Sequence, residues 1–305
     1  MRIVFMGTPD FAVASLDALV KAGCKIAGVV TAADKPAGRG QKLSESAVKK
    51  YAVEKNLPLL QPVKLKDPKF LEALEALKAD LQVVVAFRML PEVVWNMLPK
   101  GTINLHASLL PQYRGAAPIN WAIINGETES GVTTFFLKHE IDTGDILFTH
   151  KVAIGNTDTA GDLHDGLMKA GASLLVKTVK AIEEGNYQET PQDDVIEDQK
   201  LKHAPKIFKE DCEIDFRQDT QKVYNHIRGL SPYPTAFTKL QDKTLKIFRA
   251  EMEERETDIQ PGSFLTDHKT YLKIACQNGF ISVKDVQMEG KRRMNVDEFL
   301  RGVRL

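Results

Sequence analysis

The sequence is poor in cysteine and has no closely spaced set of metal-ligand residues. Only three of its 305 residues are cysteine, Cys24, Cys212 and Cys276, and they stand far apart without a CxxC pair. This usage encodes neither a disulfide framework nor a zinc knuckle. The histidines outside the segment at 104–111 also lack spacings such as HxxxH with a third partner. We therefore expect no metal and a reducing compartment.

Long apolar runs are missing as well. The nearest candidate, from Leu81 to Ala86, has the length of a strand, whereas a membrane-spanning helix needs about 20 apolar residues. The opening segment, MRIVFMGTPDF, carries one basic residue and a short apolar run, without the longer apolar region of a secretory leader. These features predict a soluble protein of the cytoplasm.

Neither sign of charge is in excess. Lysine plus arginine and aspartate plus glutamate both number 41, so net charge favours no class of partner and any charged surface must be local. With 43% hydrophobic residues the chain has enough apolar side chains for a core, which excludes disorder and small disulfide-stabilised scaffolds. A length of 305 residues is typical of two domains.

The N-terminal half alternates short apolar runs with segments of helical periodicity. Continuous apolar strands that alternate with helices predict a mostly parallel, Rossmann-like α/β sheet that is buried on both faces. The first strand–helix turn has a single glycine, Gly7, where a dinucleotide-binding fold has GxGxxG, so the nicotinamide fingerprint is missing. Strands are predicted at 2–6, 25–31, 58–61, 81–86 and 102–105, and helices at 11–22, 47–55, 68–79 and 162–185.

The C-terminal third has a different pattern. Residues 186–206 are polar and lack apolar periodicity, which is typical of an exposed linker. Beyond them a short helix at 223–230 precedes closely spaced short strands, a pattern that predicts a small OB-like β-barrel of about a hundred residues. We therefore predict a catalytic domain at 1–189, a linker at 190–206 and a β-barrel domain at 207–305.

The densest group of polar and special-geometry residues follows the predicted strand at 102–105. Asn104 and His106 are two positions apart, so they project to the same side, at the sheet edge where α/β proteins bind ligands. An amide donor beside an imidazole suits acyl-type transfer, in which one group stabilises an oxyanion and the other moves protons. Asp142, on a glycine-containing turn, supplies a carboxylate that can orient or tune the histidine.

Several long motifs carry a family resemblance. The segments NLHASLLPQYRGAAPINWAI at 104–123 and EIDTGDIL at 140–147 strongly resemble the formyltransferases that use 10-formyltetrahydrofolate. Within that family, MGTPDFA at 6–12, KPAGRGQKL at 35–43 and a C-terminal barrel are similar to the members that formylate methionyl-initiator tRNA. The match extends over nearly the whole chain, including HAPKIFKEDCEIDF after the predicted linker.

The resemblance implies roles for individual residues. It implies that Asn104, His106 and Asp142 form a catalytic trio. The expected reaction is direct attack by the methionyl α-amine on the formyl carbon, by a monomer that takes 10-formyltetrahydrofolate as co-substrate and needs no metal. It further implies that the folate site includes Ser108, Leu109, Leu110 and Pro111, and that Arg39 meets the acceptor end of the tRNA. Lys35 and Lys42 flank Arg39 in a basic, glycine-containing loop at 33–43 that can order on a phosphate backbone, and Lys206 ends the linker; we expect these lysines to contact the tRNA as well.

Other functions remain open at this point. A hydrolase of 10-formyltetrahydrofolate shares the trio, and a related formyltransferase could act on another amine. A noncatalytic RNA-binding protein is the alternative from a different class, although the sequence has no stacking aromatics at RNP-type spacing.

One position departs from the family pattern. Arg88, in AFRMLPEV at 86–93, stands where many members carry glycine, in a segment that lines the pterin pocket. We therefore expect this wall of the pocket to differ in shape, with no change in the reaction.

Overall fold

The chain folds into two compact units. The computed structural model describes residues 1–37, 42–195 and 200–303. The first unit comprises Met1–Arg114, Gly131–Val152 and Gly166–Lys202. The second comprises Gly115–Ser130, Ala153–Asp165 and His203–Leu305, so each unit draws on more than one stretch of the chain.

Strands and helices alternate along the first 184 residues and give way to short strands after them. The first set consists of β1 (Arg2–Gly7), α1 (Asp10–Lys21), β2 (Lys25–Val30), β3 (Lys35–Ala37), β4 (Lys42–Ser44), α2 (Ala47–Glu54), β5 (Leu59–Leu60), α3 (Pro68–Ala76), β6 (Leu81–Val85), α4 (Glu92–Trp95), β7 (Thr102–His106), β8 (Arg114–Gly115), α5 (Pro118–Ile124), β9 (Glu129–Phe136), β10 (Ile146–Ala153) and α6 (Ala160–Glu184). The second set consists of β11 (His203–Ala204), α7 (Thr220–Gly229), β12 (Ala236–Leu240), β13 (Lys243–Glu254), β14 (Phe264–Thr266), β15 (Leu272–Cys276), β16 (Gly279–Met288), β17 (Met294–Asn295) and α8 (Val296–Arg301), with 3₁₀ turns at Gln192–Val195 and Glu210–Cys212.

The first unit is built on a seven-stranded sheet with the order β10-β9-β7-β6-β1-β2-β5. The strands β5, β2, β1, β6 and β7 pair in parallel, and β9 pairs with β7 in the antiparallel sense. The chain runs from β1 outward to β5 and then returns to β6 on the other side of β1. At such a reversal the carboxyl ends of the strands open a crevice, which is the usual ligand site of these sheets.

The predicted α/β class is confirmed by this sheet. The strand β6 is buried at every position because both faces of the sheet are covered, which is why all its residues except Gln82 are apolar. The stretch at 33–43, expected as a loop, is in part a hairpin in which β3 and β4 pair, because pairing satisfies main-chain groups. Arg39 lies outside the described residues.

The second unit centres on an antiparallel half-barrel with the order β12-β13-β16-β15-β14, and β17 adds to β16. It corresponds to the small β-domain predicted for the C-terminal part. Asp219 caps the start of α7, and its side chain accepts a hydrogen bond from the Lys222 amide. Its apolar face, including Val223 and Ile227, joins the core that the inner faces of the strands form.

The helix α5 also belongs to the second unit and packs closely on α7. The Asn120 side-chain amide donates to the Gly229 carbonyl at 2.8 Å, and Ile124 packs against the core of the unit. A Cβ atom on Gly229 would lie 2.6 Å from the Ile124 side chain, so this close approach requires glycine. In the structure α5 belongs to the second unit, together with the C-terminal part of the chain. The predicted domain ranges of 1–189, 190–206 and 207–305 remain a proposal.

One histidine in the second unit is a buried titratable group. His226, on α7, has an Nε2 atom without a hydrogen-bond partner among the described residues. Burial lowers the pKa of His226 from its ordinary value of 6.5, and a main-chain hydrogen bond to Cys212 opposes this shift. Below about pH 6.5 the unfolded chain binds a proton that the folded chain resists, so stability falls as the pH drops through that value.

Replacing His226 by glutamine is expected to reduce the loss of stability in acid, because glutamine does not titrate. Calorimetry should show a smaller fall in the midpoint of thermal unfolding between about pH 7.5 and about pH 5 for the variant than for the parent chain. The exposed His203 provides the matched control, and His203→Gln should follow the parent. Equal acid sensitivity of His226→Gln and the parent would contradict the prediction.

Candidate active site

Asn104 and His106 lie together at the carboxyl end of β7. In the sheet, Asn104 is opposite Val84 of β6 and Phe135 of β9, and His106 is opposite Thr133 of β9. Asn104 is half-buried and His106 is buried. Because side chains two apart on a strand share a face, both project to the same side at the edge where the crevice opens.

The imidazole of His106 is held between a main-chain carbonyl and a carboxylate. Its Nε2 atom is 2.9 Å from the Tyr113 carbonyl oxygen, and its Nδ1 atom is 3.8 Å from Asp142 Oδ2. A carbonyl oxygen can only accept, so Nε2 carries the proton of this hydrogen bond. The two side chains are only 8% and 12% exposed, so a protonated imidazole would form a weakly screened ion pair with Asp142.

Asp142 reaches this position through a tight turn between β9 and β10. Its backbone is in the left-handed region, with φ of 56°, where aspartate is tolerated better than most residues. Two residues later, a Cβ atom on Gly144 would lie 1.5 Å from the Phe136 carbonyl oxygen. The glycine of the DTGD motif is therefore required by the close approach of two main-chain segments.

A residue that the sequence analysis did not single out supports the same turn. Gln192 is 3% exposed, and its Nε2 atom donates to the carbonyl oxygens of Asp142 and Gly144, both at 2.8 Å. Its Oε1 atom accepts from Nε and Nη2 of Arg114, at 2.9 and 2.6 Å. The polar composition of 186–206 indicated an exposed segment and gave no sign that Gln192 is buried. The burial of this glutamine depends on partners that are distant in sequence.

A cavity of about 490 Å³ borders this turn. On one wall the rings of His139 and Trp95 form a T-shaped pair with 5.3 Å between their centroids, and His139 Nε2 is 3.5 Å from Glu92 Oε1. Apolar, cationic and anionic groups therefore face one space, which suits a flat ligand that carries polar edges. Its lining consists of Trp95, Arg114, Leu137, Lys138, His139, Glu140, Thr143, Asp145, Pro191, Gln192 and Asp193.

The segment Ser108–Pro111 is packed into the protein and is not part of that lining. Ser108 is fully buried, and its hydroxyl donates to the Gln112 carbonyl at 2.7 Å. The Thr133 hydroxyl donates to the Ser108 carbonyl at 2.7 Å and accepts from the Leu110 amide at 3.2 Å. Leu110 lies in a small core with Phe135 and Ile146, Pro111 is buried and Leu109 is half-buried. This geometry makes the segment a support for the strand end.

Arg88 lies after β6 and joins two loops. Its guanidinium donates to the carbonyl of Val63 at 2.9 Å and to the carbonyl of Pro62, in the loop after β5. The guanidinium also lies 5.6 Å from the centroid of the Phe87 ring. A glycine at this position could not make these hydrogen bonds, so Arg88 links the segment after β6 to the loop after β5.

The basic residues expected to meet nucleic acid are described in part. Lys35, at the start of β3, is exposed. Lys42 begins β4, where it is opposite Ala37. In the second unit Lys206 is exposed, and its ammonium lies 5.1 Å from the centroid of the exposed Phe208 ring.

Other kinds of chemistry find little support in the described ranges. They contain no group of three or more histidine, cysteine, aspartate or glutamate residues that could hold a metal ion. Burial raises the pKa of the Cys276 thiol to about 12 and also raises the pKa of Cys24, so these thiols are poor nucleophiles. None of the described helices combines the length and apolar character that a membrane crossing needs.

Both halves of the chain match one known family. Residues 1–179 match the family described as formyl transferase, and residues 206–304 match the formyl transferase C-terminal domain. The chain is 54% identical over 310 residues to methionyl-tRNA formyltransferase from Bacteroides fragilis, covering 100% of this chain and 96% of the relative. It is 55% identical over 309 residues to the enzyme of that name from Parabacteroides distasonis, covering 99% and 95%.

A solved structure shares the fold at much lower identity. The crystal structure of WlaRD, a sugar 3N-formyl transferase in the presence of dTDP and 5-N-formyl-THF, superposes with a TM-score of 0.70. Sequence identity is 22%, and the match covers 96% of this chain and 99% of the other. This likeness extends over both units.

The Gly144 contact generates a test of the turn. Gly144→Ala is expected to destabilise the chain by about 1–3 kcal/mol, because the new methyl group must displace the Phe136 carbonyl. Urea unfolding followed by tryptophan fluorescence measures the change. As control, Gly166→Ala lies in α6 with its Cβ in ordinary contact at 3.6 Å from Val152, and it should be neutral or stabilise by up to about 1 kcal/mol. Equal stability of both variants would contradict the prediction.

Proposed function

The chain belongs to the formyl transferase family, and on that premise we propose that it transfers the formyl group of 10-formyltetrahydrofolate to the α-amino group of methionyl-initiator tRNA. Relatives at 54–55% identity over essentially the whole chain bear the name of this activity. The observation that carries the residue assignment is the pairing of His106 with Asp142, at 3.8 Å, at the end of β7. Asn104 lies two residues before that histidine, on the same face.

We propose that the folate enters the cavity beside the Asp142 turn. A volume of about 490 Å³ lies within the range of small-molecule pockets. Trp95 and Leu137 offer apolar surface for a flat heterocycle, and Glu140 and Thr143 add polar groups to the same lining. We also propose that Ser108–Pro111 hold the end of β7 and that Arg88 fixes the neighbouring segments, and the expected contact of Ser108–Pro111 with the folate stays a prediction.

The proposed reaction is a direct acyl transfer without a covalent enzyme intermediate. The lone pair of the methionyl α-amine attacks the formyl carbon, and the carbonyl electrons move onto the formyl oxygen. The oxyanion then re-forms the carbonyl while the bond from that carbon to N10 of the folate breaks and its electron pair goes to N10; N10 gains a proton and the amine loses one. The chain has to stabilise the negative oxygen and to manage the two protons.

His106 and Asn104 supply donors for the developing oxyanion. Because Nε2 of His106 already donates to the Tyr113 carbonyl, the Nδ1 proton of the imidazolium is the one available to the substrate. The Asn104 amide adds a second donor from the same face of β7. Asp142 stabilises the imidazolium through its charge and takes part in moving the amine proton.

We propose that the tRNA binds through positive residues of both units, namely Lys35, Arg39, Lys42 and Lys206. Contacts of lysine and arginine with phosphate supply sequence-independent affinity that falls with salt. Because the overall charge is balanced, this surface has to be local. We further propose that the enzyme acts as a monomer in the cytoplasm.

His106→Ala and Asp142→Ala are each expected to lose most of kcat for formyl transfer to methionyl-initiator tRNA. Loss of one oxyanion donor costs about 2.7–4 kcal/mol of transition-state stabilisation. Because His106 and Asp142 act as a unit, the double variant should lose far less than the sum of the single losses. Transfer of labelled formyl, with free methionine as the comparison acceptor, measures these effects.

Each contrary outcome of this assay has a distinct meaning. Release of formate without a modified acceptor would identify a hydrolase, and transfer to a different amine would identify another acceptor. A double variant whose loss equals the sum of the single losses would show that the two residues act independently.

Arg39→Ala is expected to weaken tRNA binding and to lower the salt slope of that binding by about 1, because one phosphate contact is lost. Folate binding should stay unchanged. Lys21 provides a matched control, since it ends α1 at the amino edge of the sheet and pairs with Asp17 at 2.6 Å. Titrations of tRNA at several salt concentrations measure the slopes, and an unchanged slope with unchanged kcat/KM would remove Arg39 from the tRNA site.

A further inference from the structure

We propose that Gln192, anchored by Arg114, is a positioning residue that holds Asp142 against His106. The inference deepens the function proposed above and rests on it for its kinetic test. It concerns a glutamine in a polar segment for which the family motifs of the sequence give no role.

The hydrogen-bonding capacity of the Gln192 side chain is fully used. Both protons of Nε2 go to main-chain carbonyls, those of Asp142 and Gly144, and Oε1 accepts two hydrogen bonds from Arg114. A guanidinium can only donate and a carbonyl can only accept, so only one orientation of the amide satisfies all four contacts. With 3% exposure, water cannot replace these partners at low cost.

Gln192 binds the part of the turn that determines the position of the Asp142 carboxylate. Asp142 occupies the left-handed region, which persists only where the surroundings hold the backbone there. The two carbonyls held by Gln192 belong to Asp142 itself and to Gly144, two residues later. Rotation of this turn would swing the Asp142 side chain away from Nδ1 of His106.

The anchor also connects the two members of the pair. Arg114 follows Tyr113, whose carbonyl accepts the hydrogen bond of His106 Nε2. One dipeptide therefore fixes the imidazole directly and fixes the carboxylate through Gln192. The separation of 3.8 Å between Nδ1 and Oδ2 is thus set by a continuous set of hydrogen bonds within the first unit.

A purely structural role makes a different prediction from a positioning role. Gln192 and Arg114 also border the cavity, so a third reading is direct contact with the folate. A structural residue lowers activity through loss of folded protein, and a contact residue raises KM for the folate. A positioning residue lowers kcat, and it does so only while Asp142 has its carboxylate.

Two substitutions distinguish the contact of Gln192 with Arg114 from its contacts with the carbonyls of the turn. Gln192→Met removes all four hydrogen bonds, whereas Gln192→Glu keeps an acceptor for Arg114 but cannot donate to the two carbonyls. We expect both to lower kcat by about 10²-fold, the effect of a displacement of about 1 Å, with KM for the folate changed less than about threefold. In an Asp142→Asn background neither should lower kcat by more than about twofold further.

The second unit offers a matched control. There Asn225 is a buried amide whose oxygen accepts from Nε of Arg228 at 2.9 Å, and Nη1 of Arg228 donates to the Asp158 carbonyl at 3.0 Å. Asn225→Leu removes the same type of contact away from Asp142, so it should lower thermal stability and leave kcat unchanged. The thermal midpoint of every variant is measured so that kinetics are compared on folded protein.

Crystal structures of the parent enzyme and of the variant test the positioning role of Gln192 without the kinetic assay. In Gln192→Glu, the distance from His106 Nδ1 to Asp142 Oδ2 should increase by about 1 Å or more over that in the parent enzyme. An unchanged distance, an unchanged kcat, or an equal loss of kcat in both Asp142 backgrounds would overturn the inference. Absence of formyl transfer by the parent enzyme would instead overturn the proposed function, and the distance would still decide the role of Gln192.

Discussion

The site depends on keeping a carboxylate close to an imidazole in a poorly solvated place. Asp142 and His106 come from segments 36 positions apart, and neither distance nor orientation between them is fixed by local structure. Main-chain groups provide the restraint: the Tyr113 carbonyl holds one side of His106, and the carbonyls of Asp142 and Gly144 hold the turn. The two side chains are only 8% and 12% exposed, so main-chain groups and not water surround the pair.

Backbone geometry accounts for several residues that have no chemical function of their own. Gly144 is needed because a methyl group would collide with the Phe136 carbonyl, and Gly229 is needed because α5 and α7 approach closely. The Thr133 hydroxyl ties the segment after β7 to β9, and the Ser108 hydroxyl bonds to the Gln112 carbonyl within that segment. Part of the motif that surrounds the catalytic candidates is therefore required by packing.

The sequence predicted what depends on short-range patterns. Apolar runs predicted β1, β2, β6 and β7, and the period of two predicted that Asn104 and His106 share a face at the strand end. Burial of the Ser108–Pro111 segment and of Gln192 was not predictable in this way. The partner of Gln192 is 78 residues away in the chain, and its segment is polar, so composition indicated an exposed linker. The hairpin of β3 and β4 was missed because short pairings leave little trace in apolar periodicity.

Each unit is assembled from separate stretches of the chain, and this has a consequence during synthesis on the ribosome. Residues of α5 leave the ribosome about a hundred positions before α7, the helix against which Asn120 and Ile124 pack. Until then the apolar side of α5 lacks its partner, although most of the sheet of the first unit has already been made. The nascent chain therefore carries an unsatisfied apolar segment for a large part of its synthesis, and such a segment is a natural target for chaperones that act on growing chains.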